Sequence, residues 1–124
     1  LDAARRNAQT AGVDHMIEFV KCDFRETEVP ENGGVILINP EYGERLGKID
    51  ELVEIYAKIG NWFKQKCAGY TGYVFTGNLD LAKKIGLKAK RRIEFYNSTI
   101  DCRLLEYELY SGTRRVEKEV QPAE

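Results

Sequence analysis

The chain has 124 residues, enough for one domain with a moderate hydrophobic core. Hydrophobic residues make up 43% and charged residues 31% of it, the balance of an ordinary globular domain, and the formal net charge is −1. This charge does not indicate a nucleic-acid or membrane-surface binder, and no apolar run approaches the roughly 20 residues of a membrane span. The three cysteines, Cys22, Cys67 and Cys102, are odd in number and far apart. We therefore expect reduced, buried thiols of a cytoplasmic protein rather than a disulfide or metal ligands.

The first segment of the chain is predicted to be a helix. Residues 1–11 are rich in good helix formers, and Gly12 is suited to end the helix in a left-handed conformation. The chain opens with Leu1 inside this helical pattern rather than with Met, so we expect a fragment of a longer protein. Apolar and polar residues then alternate over 16–23, which predicts a strand that ends at Asp23.

Alternating strands and helices follow, and they predict an α/β fold. The apolar run over 35–38 is typical of a strand buried on both faces of a sheet. Asp50 is expected to cap a long helix, with Trp62 as a packing residue on it. Asn78 is expected to cap a short helix that Gly86 ends. The predicted elements are a strand over 35–39, a helix over 51–66, a strand over 72–76 and a helix over 79–85.

The last part of the chain predicts an antiparallel hairpin. Two strand-like runs, 91–96 and 100–110, are joined by the turn sequence Asn97-Ser98-Thr99. An α/β sheet that finishes with such a hairpin is a mixed sheet. Residues 111–124 are charged and have no apolar periodicity, so we expect a flexible tail after a domain that ends near residue 110.

The tetrad Asn39-Pro40-Glu41-Tyr42, directly after the strand over 35–38, is the main candidate for chemistry. In open α/β sheets, ligands bind at the carboxyl ends of strands. The Asn39 side-chain oxygen and the Pro40 carbonyl can both accept hydrogen bonds from one exocyclic amine of a base, and they can stabilise positive charge that develops on its nitrogen. The Tyr42 ring offers a surface on which a flipped base can stack. The alternative is a β-turn in which Asn and Pro serve only turn geometry.

Several motifs accompany the tetrad along the chain. They are Ala8-x-x-Ala11-Gly12-Val13, Asp23-Phe24, Ile38-Asn39-Pro40-Glu41-Tyr42-Gly43-Glu44-Arg45-Leu46, Lys88-x-Lys90-Arg91-Arg92, Tyr96-Asn97 and Cys102-Arg103-Leu104. From the first residue to about Tyr110, the chain with these motifs resembles the bacterial large-subunit ribosomal RNA guanine-N2 methyltransferases that carry a THUMP domain. The resemblance implies the carboxyl-terminal part of a class I, Rossmann-like methyltransferase domain that uses S-adenosylmethionine.

The resemblance also implies roles for individual residues. Asn39, Pro40 and Tyr42 match the catalytic tetrad that holds the amine. Asp23 and Phe24 match the segment beside the cofactor adenine, whose amine the carboxylate could bind. For Asp23, the alternative is a carboxylate that only ends a strand or caps a turn. The pair Glu44 and Arg45 matches a contact that positions the loop.

The chain departs from the family pattern in two respects. Glu41 stands where the family usually has a second proline, and glutamate gives the turn more freedom and a negative charge. The glycine-rich cofactor loop, the ribose-binding acid and the first βαβ unit of the family have no counterpart in this chain. We therefore expect an incomplete Rossmann-like sheet of four strands. In it, residues 1–23 would pair with the edge at 35–39, pair with another copy or pack loosely. The unprotected edge would favour self-association.

The basic residues Lys88, Lys90, Arg91 and Arg92 are candidate RNA contacts, with a solvated strand start as the alternative. For the parent protein, the resemblance implies methylation of an exocyclic amine of RNA, with guanine N2 of large-subunit ribosomal RNA as the first expectation. The alternatives are an adenine-N6 methyltransferase and a non-catalytic RNA-binding relic. The 124 residues alone are expected to be inactive.

Overall fold

A computed structural model of the chain describes residues 1–42, 49–97 and 100–110. The predicted tail over 111–124, the predicted positioning pair Glu44 and Arg45, and the turn residues Ser98 and Thr99 lie outside the described residues. The helices are α1 (Asp2–Ala11), α2 (Ile49–Lys66) and α3 (Leu79–Ala82), and a 3-10 turn over Lys83–Ile85 continues α3. The strands are β1 (Gly34–Ile38), β2 (Tyr70–Thr76), β3 (Arg91–Asn97) and β4 (Ile100–Glu108).

The four strands form one mixed sheet in the order β1-β2-β4-β3. Strands β1 and β2 are parallel, with Ile36 opposite Gly72, while β4 runs antiparallel to both of its neighbours. The pairing of Asn97 with Ile100 closes the predicted hairpin. The predicted four-stranded mixed sheet is thus confirmed. The antiparallel hairpin of β3 and β4 lies at the end of the strand order opposite β1.

Both later helices pack on one face of the sheet and create the core there. Tyr56, Ile59 and Phe63 of α2 are at most 1% exposed, and they pack on buried residues of β2 and β4. Burying one such side chain contributes about 1.5–3 kcal/mol. Gly60 lets α2 approach the turn after α3 closely, because a Cβ there would lie 2.8 Å from the carbonyl carbon of Ile85. Trp62 is buried in this core, as expected for a packing residue.

The helix ends agree in part with the predictions. The Asn78 side chain accepts a hydrogen bond from the Leu81 amide at 3.0 Å, and Gly86 is left-handed with φ 77°, so both predicted caps of the short helix are confirmed. The predicted cap at Asp50 is wrong, because α2 already begins at Ile49. Asp50 lies instead in the first turn, where a carboxylate still stabilises the helix dipole.

Strand β1 lies at the edge of the sheet, and only one of its faces is covered. Ile36 and Ile38 pack against the core, whereas Val35 and Leu37 are 69% and 66% exposed on the other face. The prediction of burial on both faces is therefore wrong. No described strand pairs with the outer edge of β1.

The predicted strand over 16–23 does not form. A 3-10 turn covers Asp14–Met16, and residues 17–21 have no strand pairing. Alternation fixes only the face that each side chain would take, and a strand also needs a hydrogen-bonded neighbour, which the described residues do not supply here. Pairing of this segment with the edge of β1 is therefore not observed in the described residues, while its pairing with another copy stays a prediction.

Helix α1 and its left-handed Gly12, φ 76°, are confirmed, although Ala8 is the only buried residue of that helix. All three cysteines are free, but Cys22 is exposed, so its predicted burial is wrong, whereas Cys67 and Cys102 are buried. Within the described ranges, no helix is both long enough and apolar enough to span a membrane.

Candidate functional site at the carboxyl end of strand β1

The tetrad 39–42 leaves the sheet directly after β1, beside the carboxyl end of the parallel strand β2. Asn39 is exposed, while Pro40 and Tyr42 are half-buried. The sequence predicts that the tetrad lies at the carboxyl end of a strand, where the loops that follow parallel strands bind ligands. Asn39 is therefore accessible to a ligand, whereas the Tyr42 ring is partly held by protein contacts.

A chain of hydrogen bonds ties the tetrad to β2 and α2. The buried Tyr56 hydroxyl donates to the Glu41 carbonyl oxygen at 3.0 Å, and it lies 2.7 Å from the Thr76 hydroxyl. The Asn78 amide donates to the same Thr76 oxygen at 3.2 Å. Since a tyrosine hydroxyl has one proton, the bonds run in one direction, from Asn78 through Thr76 and Tyr56 to Glu41. Burial raises the pKa of Tyr56, so the phenol stays protonated and keeps this donor role.

The Tyr42 ring lies against the end of β2. A Cβ built at Gly77 would lie 2.8 and 3.0 Å from the ring atoms Cδ2 and Cζ of Tyr42, and closer still to Cε2. The Tyr42 hydroxyl is 3.6 Å from the Sγ atom of buried Cys102 on β4. The ring thus depends on glycine at position 77, and its hydroxyl reaches the neighbouring strand.

Asp23 and Phe24, the predicted cofactor contacts, lie in a segment that contacts α2 through the Trp62 ring. Arg25 donates to both carboxylate oxygens of Asp23 at 3.0 Å, and its amide donates to Oδ1 at 2.9 Å. Asp23 thereby caps the 3-10 turn over Phe24–Glu26, which is the capping role considered for it. The Phe24 ring meets the Trp62 ring edge-on, with the centroids 5.6 Å apart.

The hydrogen bonds from Arg25 lower the pKa of Asp23 to about 2. The Asp23 carboxylate is therefore charged at neutral pH. Its Oδ1 atom already accepts two hydrogen bonds, whereas Oδ2 accepts one and has room for a further donor. None of the hydrogen bonds, ion pairs and ring contacts that Asp23 and Phe24 make within the described part of the chain reaches the tetrad.

The predicted RNA-binding cluster is divided between the two faces of β3. Arg91 pairs with the buried carboxylate of Glu106 at 2.7 Å, and Lys90 lies 3.4 Å from the carboxylate of Glu108. Lys88 and Arg92 instead line a cavity on the face that carries α3. Neighbouring residues of a strand face opposite sides, which explains why adjacent arginines have different surroundings.

Three residues that hold the tetrad, namely Tyr56, Thr76 and Gly77, were not identified from the sequence. Tyr56 lies in the predicted long helix, and its hydroxyl was a signal, since a buried phenol needs a hydrogen-bond partner. Thr76 is the last residue of β2, which is parallel to β1, and Gly77 follows it. Because the carboxyl ends of parallel strands lie at the same end of a sheet, their position after the strand could have indicated them. Arg25, which holds Asp23 rather than the tetrad, was also not identified from the sequence.

A mixed sheet of this order, with a polar loop at the carboxyl end of β1, agrees with the α/β, Rossmann-like fragment expected from the sequence. The described structure is similar to that of SMU.472, a protein assigned as a methyltransferase and solved with S-adenosylhomocysteine. The TM-score is 0.79 at 23% sequence identity, and the match covers 90% of this chain and 29% of SMU.472. It is also similar to a protein of Listeria monocytogenes described as an N6-adenine-specific DNA methylase, with a TM-score of 0.71, 25% identity, 86% of this chain covered and 27% of the other.

The sequence comparison identifies the family. Residues 1–106 match the family described as RMKL-like, methyltransferase domain, and the chain belongs to that family. It is 42% identical over 111 residues to the ribosomal RNA large subunit methyltransferase K/L of Syntrophotalea carbinolica. That match covers 86% of this chain but 16% of the relative, so the chain corresponds to a small part of the length of that protein.

Proposed function

We propose that this chain is the amine-holding part of an S-adenosylmethionine-dependent RNA methyltransferase. The observation that carries the proposal is the tetrad, fixed at the carboxyl end of β1 by the hydrogen bond from Tyr56 to Glu41 and by the packing of Tyr42 on Gly77. Membership of the RMKL-like family supports methyl transfer, and the name of the Syntrophotalea relative supports RNA as the substrate.

In the proposed mechanism, two oxygens of the tetrad hold the amine of the target base. The Asn39 side-chain oxygen and the Pro40 carbonyl oxygen accept its two protons as hydrogen bonds, which leaves the nitrogen lone pair directed away from them. As that lone pair attacks a methyl carbon, positive charge develops on the nitrogen, and the two oxygens stabilise it. The proton leaves to solvent after the bond forms, so the attack needs no basic side chain. Tyr42 stacks on the base and keeps it in this orientation.

The residues present fit the adenine end of the cofactor. Asp23 has one unused acceptor position at Oδ2, which suits an exocyclic amine, and the partly buried Phe24 ring offers an apolar neighbour. When bound, S-adenosylmethionine would supply the electrophilic methyl group, and the bond between its sulfur and that methyl carbon would break to release S-adenosylhomocysteine. The sequence contains no glycine-rich loop of the GxGxxG type, so we assign no residue of this chain to the methionine end.

The target we propose is guanine N2 of large-subunit ribosomal RNA. The relative of Syntrophotalea carbinolica is named for large-subunit ribosomal RNA, which supports the substrate. Adenine N6 is the second candidate, because the Listeria neighbour is described as an N6-adenine-specific methylase. The two acceptor oxygens of the tetrad hold any exocyclic amine, so they suit both targets.

A chimeric enzyme tests this proposal. The 111 matched residues of the Syntrophotalea relative are replaced by those of this chain, and methyl transfer from labelled S-adenosylmethionine to large-subunit ribosomal RNA is measured beside the unaltered relative. Digestion to nucleosides and mass spectrometry identify the methylated atom. We expect N2-methylguanosine. N6-methyladenosine would select the second candidate, and a chimera that is folded and binds the cofactor but transfers no methyl group would contradict the proposed function.

A further inference from the structure

A cavity of about 460 Å³ lies between α3 and the hairpin, away from the tetrad. Its walls include Leu79, Leu87 and Leu105, and its polar lining includes Lys88, Arg92 and Tyr107. This volume lies within the range of small-molecule sites, roughly 300–1,000 Å³. The cavity therefore combines an apolar wall that suits a planar ring with cations that suit an anionic group.

The cations of the cavity have no carboxylate partner among residues 1–42, 49–97 and 100–110 that neutralises them. Within the described residues, no carboxylate lies within ion-pair distance of Lys88 or Arg92, in contrast to Lys90 and Arg91 of the same cluster. A third cation at the rim, Lys83, makes only a 3.9 Å contact with Asp80 in which both side chains are highly exposed. Exposed pairs of that kind contribute little, so all three cations are available to an anion.

Tyr107 supplies a second, independent observation. Its side chain is 2% exposed, its ring packs 6.0 Å from that of Phe63, and it lines the cavity. Among the described residues, none makes a hydrogen bond with its hydroxyl. A hydroxyl that faces a cavity in a buried surrounding needs a partner from solvent or from a ligand. Burial raises the pKa of Tyr107 and the charge of Arg92 opposes that effect, and both residues line the cavity.

We propose that this cavity binds one nucleotide of a single-stranded RNA segment that flanks the methylated base. The phosphate lies at Lys88 and Arg92, the base packs on the leucine wall, and the Tyr107 hydroxyl bonds to a polar edge of the base. The proposal rests on the proposed function, since it takes RNA as the substrate. Strands β1 and β3 are three strand spacings apart, about 14 Å, so this nucleotide is not the one held by the tetrad.

The topology supports the choice of RNA over a free nucleotide. The cavity is lined by Arg92 of β3, the edge strand opposite β1, so an RNA strand held by the tetrad could continue across the sheet towards it. Phosphates along such a strand meet the unpaired cations, while unstacked bases can enter a cavity with an apolar wall. A free nucleotide would use the same groups, and the experiment separates the two sources.

The test measures RNA binding by the 124-residue chain through the fluorescence anisotropy of a labelled single-stranded oligonucleotide. The double variant Lys88→Ala/Arg92→Ala is compared with Arg6→Ala/Lys66→Ala, which removes the same charge at exposed positions outside the cavity. We expect the cavity variant to bind at least about tenfold more weakly. The slope of log K against log salt should fall by about 0.7 for the lost phosphate, with little change in the control.

Tyr107→Phe removes only the hydroxyl and retains the ring that packs on Phe63. We expect the chain to remain folded by circular dichroism and to bind RNA about 3- to 10-fold more weakly, the usual effect of losing one hydrogen bond. Equal losses in the cavity and control doubles, an unchanged affinity in Tyr107→Phe, or no RNA binding by the wild-type chain would overturn the proposal. Guanosine and adenosine monophosphates that bind as tightly as RNA would assign the cavity to a free nucleotide and would also overturn it.

The result is separable from that of the methylation assay. If the cavity variants bind RNA normally while the chimera transfers methyl groups, the cavity assignment fails and the proposed function stands. If the cavity variants lose RNA binding while a folded chimera transfers none, the proposed function fails and the cavity stands.

Discussion

Gly77→Ala tests whether the close packing at the end of β2 sets the position of Tyr42. The new Cβ would lie 2.8 and 3.0 Å from two atoms of the Tyr42 ring and closer still to a third. Carbon atoms at optimal contact are about 3.5–4.0 Å apart, so the ring must move by roughly 1 Å. Gly77 is not among the glycines with positive φ, so alanine suits its backbone and the effect comes from the contact alone.

The expected stability change follows from two opposing effects. Inserting a methyl group into a packed contact costs about 1–3 kcal/mol, while alanine restricts the unfolded chain and returns about 0.4–1 kcal/mol. We expect a net loss of about 1 kcal/mol, or roughly 4 °C in Tm for a chain of 124 residues. In the chimera, a 1 Å displacement of the stacking ring should reduce turnover about 100-fold.

A double-mutant cycle with Tyr42→Ala provides the control. Without the ring, Gly77→Ala has nothing to displace and should leave the free energy of unfolding unchanged or slightly increased. We therefore expect a coupling free energy of about 1 kcal/mol or more between the two positions in urea unfolding. Equal effects of Gly77→Ala in both backgrounds would refute the reasoning that the glycine positions the ring.

Three further predictions concern the groups around the tetrad and the exposed segment. Tyr56→Phe leaves the carbonyl oxygen of Glu41 without its donor, and we expect a loss of about 1–2 kcal/mol in urea unfolding, which an unchanged Tm would contradict. Because Arg25 lowers the pKa of Asp23 to about 2, this carboxylate adds stability above its ordinary pKa of 3.8 and loses it as pH falls through about 2. Carboxyl carbon NMR should show that midpoint, and Arg25→Gln should move it towards 3.8; titration near 3.8 in the wild type would contradict the pairing. A thiol reagent should modify Cys22 quickly and the two buried cysteines only after unfolding, whereas three fast thiols would contradict the burial described.

The elements that the sequence predicted well are those determined by local residue chemistry. The Asn78 cap, the left-handed Gly86 and the hairpin depend on turn and cap residues that lie next to the element they end. Their structure agrees with the prediction because few distant contacts are involved. The position of the tetrad belongs to the same group, because an apolar strand followed by Asn39-Pro40 predicts a loop at the carboxyl end of that strand.

The features that were missed depend on distant partners. Alternation over 16–23 indicates a strand, but no ladder partner is available in the described residues, so none forms. Val35 is exposed for a related reason, because apolar character does not reveal which neighbour covers it. Tyr56 contacts Glu41 and Thr76 across 15 and 20 residues, a pairing that a single sequence does not show.

The central claim, that the tetrad holds the amine of the target base, is tested most directly by Asn39→Ala in the chimera. The amide oxygen stabilises charge only as the methyl group is transferred, so we expect kcat to fall about 100- to 1,000-fold. The Kd for S-adenosylmethionine, measured by calorimetry, should stay within about twofold of that of the unmodified chimera. An equal loss of turnover and cofactor affinity, or full turnover without the amide, would contradict the account.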